Sequence, residues 1–324
     1  MQKRIWITWE TQRRSIELAR KFDCDLHIIE YKGIMRYPVS ILRTISILYR
    51  KRPDILFVQN PSMILAALAC VCKYIFRYFL VVDRHTTFLL DRDYKNTSWV
   101  FVFKLLSRLT IQYADITIVT NSLLADMVKG FGGTPAILPD PIPKLEGTGQ
   151  VKLKGRYKIL MISSFAIDEP VMEVLTAMND LIRNEVYLYV TGNYNKLDEN
   201  MRGKAPSNVV FTGFLDDQDY VNMLFSCDAI MVLTTASACM LCGCYEAVSA
   251  EKPLITSDKD VLKEYFTDAV FVDNTASGIS AGITEIIENI ELHRERIKYL
   301  KERLITQWEE SYLHLDNMLS EVLS

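Results

Sequence analysis

The chain has no apolar run long enough to cross a bilayer. Its longest uncharged apolar stretch covers residues 63–72, and Lys73 and Arg77 interrupt the continuation. A membrane-spanning helix needs about 20 consecutive, mostly apolar residues, so this stretch is too short. No secretory signal precedes the first apolar segment, because Lys3 and Arg4 lead directly into it. We therefore expect a cytoplasmic protein.

Disulfides and a metal centre are not expected either. The chain has 7 cysteines, and an odd number without a secretory signal indicates reduced thiols. Cys239, Cys242 and Cys244 have the spacing of part of a zinc site, but the nearby sequence offers no evident fourth ligand. Asp216 and Asp217 read as the start of a helix and not as a metal-binding carboxylate pair. We predict neither a metal nor a cofactor.

Charge is distributed unevenly. Residues 1–145 carry a net charge of +9 and the remainder −12, which together give the net charge of −3. A basic first half suits anionic lipid headgroups or a pyrophosphate-linked acceptor. The alternative is a chance drift in surface charge. No nucleic-acid partner is predicted.

Strand-like and helix-like segments alternate along the chain, which predicts parallel sheets covered by helices. Apolar, β-branched segments typical of strands in the first half lie at 5–8, 26–29, 55–59, 80–83 and 116–120. Helical patterns fill the intervals at 11–22, 39–51, 62–78, 98–113 and 122–131. Further strands are predicted at 157–163, 186–190, 209–212, 229–233, 254–256 and 270–272, followed by a charged helical tail over 287–323.

The segment 132–155 is rich in glycine and proline and has no helical period, which is typical of a linker. We predict an α/β protein of two doubly wound Rossmann-like domains that face an interdomain cleft. The first domain covers 1–140, a linker 141–156 and the second domain 157–305. A C-terminal helix over 306–324 is expected to pack back on the first domain.

The stretch 209–258 is the most informative part of the sequence. A buried strand opens into a loop of small and polar residues, which leads into a helix that carries Glu246. Backbone N–H groups at a helix N-terminus favour a diphosphate, and a carboxylate one turn into the helix can accept hydrogen bonds from ribose hydroxyls. These features predict a nucleotide-sugar site.

Three further stretches, in this order and spacing, resemble GT-B glycosyltransferases of the group-1 (family-4-like) class. They are Phe57-Val58-Gln59-Asn60-Pro61-Ser62, Val81-Val82-Asp83-Arg84-His85-Thr86, and Ile162-Ser163-Ser164-Phe165 with Asp168-Glu169. Within the class, the pattern resembles the β-mannosyltransferases that extend lipid-pyrophosphate chitobiose, and their bacterial relatives. The likeness covers nearly the whole chain and implies a GT-B fold with a nucleotide-diphosphate sugar as the donor.

The chain departs from the family pattern at two places. The family has two glutamates eight positions apart; Glu246 matches the second, and Ala238 stands where the first would fall. The first loop, 8–14, also lacks the usual glycines. These departures affect the choice of sugar and the stereochemistry, and the donor site itself is still expected.

Candidate catalytic residues follow strands of the first domain. His85 and Asp83 come directly after a buried strand, and Glu10 follows the first strand. His85 can act as a base or donate a hydrogen bond, whereas Asp83 has the alternative of capping a turn. Arg13 and Arg14 can meet phosphate, but a solvated first helical turn is the better expectation for either one.

Candidate donor-binding residues lie at strand ends and at one helix start in the second domain. For Ser163 and Ser164 the alternative role is N-capping of a helix, and for the glycines it is a tight turn. The set is Ser163, Ser164, Gly192, Gly213, Phe214, Gly243, Cys244 and Glu246.

Arg36, Arg43 and Arg50 recur every seven residues and so share one helical face, next to apolar residues. This is typical of a basic amphipathic helix that lies on an anionic membrane or meets a lipid-linked acceptor. An ordinary crossover helix with solvated arginines is the alternative.

These observations predict a metal-independent hexosyltransferase that moves a hexose to a saccharide acceptor, lipid-linked and at the inner membrane face, in polysaccharide or glycoconjugate synthesis. Two alternatives are a nucleotide-sugar epimerase of the same fold and a non-catalytic GT-B partner subunit.

Overall fold

Alternating strands and helices build two parallel sheets. The computed structural model describes residues 2–33, 35–60, 62–85, 98–182, 185–197 and 202–322. The chain divides into two compact units: Met1–Asp140 with Trp308–Ser324, and Pro141–Gln307.

The first unit contains a sheet with the strand order β2-β1-β3-β4-β5-β6, in which all neighbours are parallel. Its strands are β1 Arg4–Thr8, β2 Asp25–Ile28, β3 Ile55–Gln59, β4 Phe79–Asp83, β5 Ile116–Val119 and β6 Pro135–Ile137. The helices between them are α1 Arg13–Lys21, α2 Arg36–Lys51, α3 Met63–Phe76, α4 Ser98–Tyr113 and α5 Ser122–Gly130.

The second unit repeats this plan with the order β12-β11-β10-β7-β8-β9, again parallel. Its strands are β7 Tyr157–Met161, β8 Val186–Thr191, β9 Val209–Gly213, β10 Ala229–Val232, β11 Leu254–Ser257 and β12 Val270–Val272. Its helices are α6 Val171–Asp180, α7 Asp217–Ser226, α8 Cys242–Ser249, α9 Asp260–Tyr265 and α10 Ala276–Glu288. The last helix, α11, runs over Ile290–Glu321.

Each sheet is buried on both faces, which explains why the strands read as continuous apolar runs. In the first unit, α2 and α3 cover one face, with Leu48 and Ala69 in its core. The other face packs against α1 and the end of α11, where Trp308 and Leu315 join the core around Trp6. Within the second unit, the earlier part of α11 contributes Ile297, Leu300 and Leu304.

Helix ends follow local chemistry. Asn121 caps α5 by accepting a hydrogen bond from the Leu124 N–H at 2.9 Å, and Asp216 caps α7 through the Asp219 N–H at 2.9 Å. Helices α2 and α3 end where Arg52 and Arg77 adopt left-handed backbone angles, with φ of 49° and 57°.

The predicted strands and helices, including the helical tail, are confirmed, with one exception. The segment 132–155 was expected to be all linker, but Pro135–Ile137 forms the edge strand β6 beside β5. Proline is compatible with this position because it begins an edge strand, where a missing N–H is tolerated. No helix in the described parts of the chain combines the length and apolar character that crossing a bilayer requires.

Candidate functional site

Side chains with polar chemistry meet at the carboxyl edge of each sheet. Strand order reverses between β1 and β3 in the first sheet, and between β7 and β10 in the second. Open parallel sheets bind ligands beyond the carboxyl ends of their strands at such reversal points. Each unit therefore offers one site at a defined edge.

In the first unit, Asp83 and Arg14 form a buried ion pair. The Arg14 Nε lies 3.0 Å and 3.1 Å from the two Asp83 carboxylate oxygens, and Nη2 donates to Oδ1 at 2.9 Å. The same guanidinium donates to Asp140 at 2.6 Å and to the Leu138 carbonyl at 2.9 Å. The expectation of a solvated Arg14 is wrong, since its side chain is only 6% exposed; Arg13, in contrast, lies at the surface beside Glu17.

Both members of this pair are ionised. Burial raises the pKa of Asp83, but the charge and hydrogen bonds of Arg14, together with His85, lower it to about 2. Burial likewise lowers the pKa of Arg14, and the two carboxylates raise it above its ordinary value. Because all of its carboxylate is engaged and none is exposed, Asp83 is placed to position its neighbours; its catalytic role stays a prediction.

His85 follows β4 and is partly exposed. Its Nδ1 lies 3.8 Å from Asp83 Oδ2, which is longer than a hydrogen bond. Within the described residues, Nδ1 is buried without a hydrogen-bond partner, so a small shift of the ring toward Asp83 would satisfy it. Thr86, the last residue of this motif, lies outside the described residues.

Glu10 and Arg36, predicted separately as a base and as an acceptor contact, bind each other. Arg36 Nη2 donates to Glu10 Oε1 at 2.5 Å, and both side chains are partly exposed. Arg43 and Arg50 lie further along the exposed side of α2, and the Arg43 guanidinium packs over the Tyr31 ring. Arg36 is therefore next to the sheet edge, whereas the other two arginines belong to the helix surface.

Four polar residues at this edge, Thr8, Gln12, Gln59 and Asn60, were not predicted as site residues. Thr8 donates to the buried Gln59 Oε1 at 2.5 Å, and Gln59 in turn donates to Gln12. Asn60 is buried, and neither polar atom of its side chain has a hydrogen-bond partner in the described parts of the chain. Such an amide is costly unless something satisfies it. The Gln59-Asn60 dipeptide of the family-like motif was the sequence signal for this feature.

In the second unit, Glu169 organises the turn after β7. Its carboxylate accepts hydrogen bonds from the hydroxyls of Ser163 and Ser164 at 2.5 and 2.7 Å, and from the backbone N–H groups of Ser164 and Phe165, both at 3.0 Å. Phe165 adopts a left-handed backbone, with φ of 53°. Helix α6 starts at Val171 with Pro170 as its cap, so N-capping of this helix by either serine is excluded.

We expect Glu169→Ala to lower the free energy of unfolding by about 1–3 kcal/mol, because hydrogen bonds to a charged group contribute about this much. Chemical denaturation of the intact chain measures the change. Glu173→Ala, at an exposed position of α6, is the matched control and should leave stability nearly unchanged. Equal stability of the two variants would contradict a structural role for Glu169.

Gly192 and Gly213 shape the ends of β8 and β9. Gly192 has φ of 101°, and a Cβ there would lie 2.0 Å from the Ser163 carbonyl oxygen, so no other residue fits beside the serine turn. The Gly192 N–H donates to the Gly213 carbonyl at 3.0 Å. Phe214, directly after Gly213, is 87% exposed and presents a ring on which a flat group can stack.

A second polar network joins the ends of β10 and β11. The Thr234 hydroxyl donates to Asp168 at 2.7 Å, and its N–H donates to the Ser257 hydroxyl at 2.9 Å. Asn274 accepts from Ser257 at 2.7 Å and donates to the Thr234 carbonyl at 2.9 Å. These residues were not predicted for the site, because the partners are far apart in sequence and each alone reads as an ordinary turn residue.

The candidate donor helix α8 begins at Cys242, and Glu246 lies just over one turn into it. The Glu246 carboxylate accepts a hydrogen bond from the Tyr220 hydroxyl at 2.5 Å and is partly exposed. Gly243 packs against β10, since a Cβ there would lie 3.0 Å from Ile162 and Val232 side-chain atoms. The Cys244 N–H donates to the Leu241 carbonyl at 3.0 Å, and burial raises the pKa of its thiol to about 12.

The three clustered cysteines do not assemble a metal site. Within the described residues, no group of three or more histidine, cysteine or acidic side chains is arranged to hold a metal ion. Ala238, which stands where the family has its first glutamate, is buried. The candidate donor-binding groups among the described residues are backbone groups, hydroxyls, the Phe214 ring and Glu246.

Comparison with known proteins agrees with this architecture. Two parallel six-stranded Rossmann-like sheets define the GT-B fold, and the prediction of that fold is confirmed. Residues 148–303, most of the second unit, match the family model "Glycosyl transferases group 1". No curated protein sequence matches the chain.

Solved structures similar to the chain share its fold at low sequence identity. Sucrose-phosphate synthase from Thermosynechococcus elongatus superposes with a TM-score of 0.76 at 12% identity, covering 100% of this chain and 99% of that one. Anabaena HepE in complex with UDP-glucose gives 0.71 at 11% identity, with 98% and 91% covered. A putative UDP-N-acetylglucosamine 2-epimerase from Listeria monocytogenes gives 0.60 at 14% identity, with 93% and 86% covered.

Proposed function

We propose that the chain is a hexosyltransferase that uses a nucleotide-diphosphate sugar. The observation that carries this proposal is the group-1 match of residues 148–303, which includes the strand β10, the loop after it and the helix α8 with Glu246. HepE, similar in fold, is described in complex with UDP-glucose. We infer that the second unit binds the donor and the first unit the acceptor.

On the donor side, the predicted residues have separate proposed tasks. Glu246 accepts hydrogen bonds from the ribose hydroxyls, and the N-terminus of α8 at Gly243 faces the diphosphate, whereas the Cys244 N–H already donates to the Leu241 carbonyl. The serine turn, held by Glu169, contacts phosphate or sugar. Gly192, Gly213 and Phe214 face the base. Lys196, whose ammonium donates to the Ser164 carbonyl at 2.6 Å, adds positive charge next to this turn.

On the acceptor side, we propose His85 as the group that handles the proton of the acceptor hydroxyl, with Glu10 as a second candidate base. In an inverting reaction, the base removes this proton while the acceptor oxygen attacks the anomeric carbon and the bond to the diphosphate breaks. In a retaining reaction, the departing phosphate itself accepts the proton. We propose a metal-independent transfer, in which protein groups offset the leaving-group charge.

The finer assignment follows the sequence pattern. We propose a saccharide acceptor linked to a lipid pyrophosphate, as in the chitobiose β-mannosyltransferases that the chain resembles, in polysaccharide or glycoconjugate synthesis. The protein would work in the cytoplasm, in peripheral contact with an anionic membrane through the α2 surface with Arg36, Arg43 and Arg50. The basic charge of residues 1–145 supports this assignment.

Thermal stabilisation by nucleoside diphosphates tests the donor site, because a ligand that binds only the folded state raises the apparent stability. We expect one nucleoside diphosphate to raise the melting temperature, and Glu246→Ala to weaken its binding about tenfold, since a hydrogen bond to a charged group contributes about 1.5–3 kcal/mol. Glu295→Ala, at an exposed position of α11, is the control. Unchanged affinity in Glu246→Ala would remove the donor assignment.

Two rival functions are separated by the product. The similarity in fold to a putative 2-epimerase favours an assay that detects donor isomerisation alongside a new glycosidic bond; isomerisation alone would identify an epimerase. Ala238 supports the third possibility, a non-catalytic partner subunit. Co-purification of a second chain without nucleotide binding by the isolated protein would identify that role.

A further inference from the structure

Three consecutive helices of the first unit present apolar side chains to solvent. Helices α2 and α3 bury their inner sides against one face of the sheet, and α4 packs beside α3. Their outward sides carry large exposed hydrophobic residues on every helix. These residues are Met35, Tyr37, Leu42, Ile45 and Tyr49 in or beside α2, Val71, Tyr74 and Ile75 in α3, and Phe101, Val102, Leu105, Leu109 and Tyr113 in α4. We call this surface the α2–α4 face.

A pocket of about 420 Å³ opens on this face between α3 and α4. Its volume is within the range of small-molecule sites, about 300–1,000 Å³. Ala67, Cys70, Leu106 and Leu109 line it, and Tyr74 and Tyr113 stand beside it with their ring centroids 6.4 Å apart.

The lining of the pocket is neutral. Apart from the two tyrosines, the lining residue with a hydroxyl group is Thr110, and that hydroxyl already donates to the Ser107 carbonyl at 2.9 Å. Burial raises the pKa of the Cys70 thiol to about 11, so Cys70 carries no charge near neutral pH. A hydrocarbon chain suits such a lining, whereas a sugar or a phosphate would leave its polar groups without partners.

Charge on the α2–α4 face has one sign. None of the three helices contains an aspartate or a glutamate, and their basic residues are Arg36, Arg43, Arg50, Lys51, Lys73, Lys104 and Arg108. Lys73, Lys51 and Arg36 pair with Asp115, Asp25 and Glu10, which lie outside the helices. Exposed apolar side chains among cations fit an anionic bilayer, where tyrosines prefer the headgroup level.

We propose that the α2–α4 face docks on a bilayer of anionic phospholipid and that the pocket between α3 and α4 holds one hydrocarbon chain of a bilayer lipid. The proposal rests on the proposed function only in that a lipid-linked acceptor would lie in the same bilayer. Lipid binding itself requires neither donor nor acceptor, so its failure and the failure of glycosyl transfer are distinguishable.

Vesicle co-sedimentation of the full chain tests this proposal without any transfer reaction. We expect binding to vesicles of phosphatidylcholine with phosphatidylglycerol, at least tenfold weaker binding to phosphatidylcholine alone, and weaker binding as salt increases. Tyr74→Asp should weaken binding at least tenfold. Tyr299→Asp is the matched control, because Tyr74 and Tyr299 are 70% and 72% exposed and Tyr299 lies in the second unit; it should bind as the unmodified chain does.

A variant that fills the pocket tests whether the pocket binds a lipid hydrocarbon chain or whether the surrounding surface alone binds the bilayer. Ala67→Phe adds apolar volume to the pocket without changing charge, and we expect it to weaken vesicle binding several-fold at an unchanged melting temperature. If Ala67→Phe binds vesicles as the unmodified chain does, the proposal that the pocket holds a hydrocarbon chain is wrong. No binding to anionic vesicles, or concentration-dependent dimerisation that Tyr74→Asp abolishes, would overturn bilayer docking and assign the face to an interface between copies.

Discussion

Asp83→Ala is expected to lower the free energy of unfolding by about 3–5 kcal/mol, because it leaves the Arg14 guanidinium buried without its main carboxylate partner. Three hydrogen bonds of 2.9–3.1 Å join the two side chains, and the Asp83 side chain has no exposed surface. Chemical denaturation of the intact chain, monitored by a signal from the first unit, measures this loss of stability. Asp126→Ala is the control, since that carboxylate lies at the surface beside Lys129.

Acid titration checks the same ion pair independently. The pKa of Asp83 is about 2 in the folded protein and about 3.9 in an unfolded chain. A depressed folded pKa contributes stability that is present above the unfolded pKa and is lost as the pH falls from about 4 toward 2. Because an asparagine side chain cannot be protonated in this range, we expect the stability of Asp83→Asn to fall less than that of the unmodified chain between about pH 4 and about pH 2. A variant as stable as the unmodified chain, with the same acid profile, would show that the pair contributes nothing.

The sequence predicts the fold well because the information is local and repeated. Each buried strand is a short apolar run between turn residues, and each crossover helix has its own apolar stripe, so neither depends on a distant partner for recognition. The missed strand β6 shows the limit of this reasoning. Pro135–Ile137 is short, begins with proline and pairs on one side only, and in isolation it cannot be distinguished from linker.

The candidate sites are less accessible to sequence reasoning, because they depend on which side chains meet. Arg14 and Asp83 are 69 positions apart, and nothing local in the first turn of α1 indicates that one of two adjacent arginines is buried. The contact between Glu10 and Arg36 likewise joins residues that are distant in the sequence. The sequence predicts that Asp83 and Glu10 lie at strand ends, but it does not predict which arginine each of them contacts.

Residues that hold others in place were missed for a related reason. Glu169 looked like part of a family-like motif, yet its carboxylate binds four donors of the serine turn. Asn60 and Asn274 were not predicted as site residues either, although the buried Asn60 side chain has no hydrogen-bond partner in the described parts of the chain and Asn274 bridges Ser257 and Thr234. Sequence reasoning identifies residues with reactive groups more readily than the hydrogen-bond partners that orient them.

His85→Ala is expected to reduce glycosyl transfer more than tenfold, because a general base contributes about 10²–10⁴-fold. His85 lies at the carboxyl end of β4, partly exposed, with Nδ1 3.8 Å from Asp83 Oδ2. At this distance Nδ1 does not bond to Asp83, but a small shift of the ring would let the buried carboxylate hold Nδ1 and would leave Nε2 for the acceptor hydroxyl. Steady-state transfer by the variant, measured beside nucleotide affinity, should show a lower kcat with donor binding unchanged.

Two comparisons make this result specific. His314→Ala, at an exposed position of α11, should transfer sugar at the normal rate, which controls for the loss of any imidazole. Asp83→Asn should reduce kcat less than His85→Ala does, because it removes the carboxylate beside the imidazole but leaves the base in place. Near-normal transfer by His85→Ala would remove this residue from the mechanism, and Glu10, at the end of β1 with Arg36 on its carboxylate, would then be the base to test.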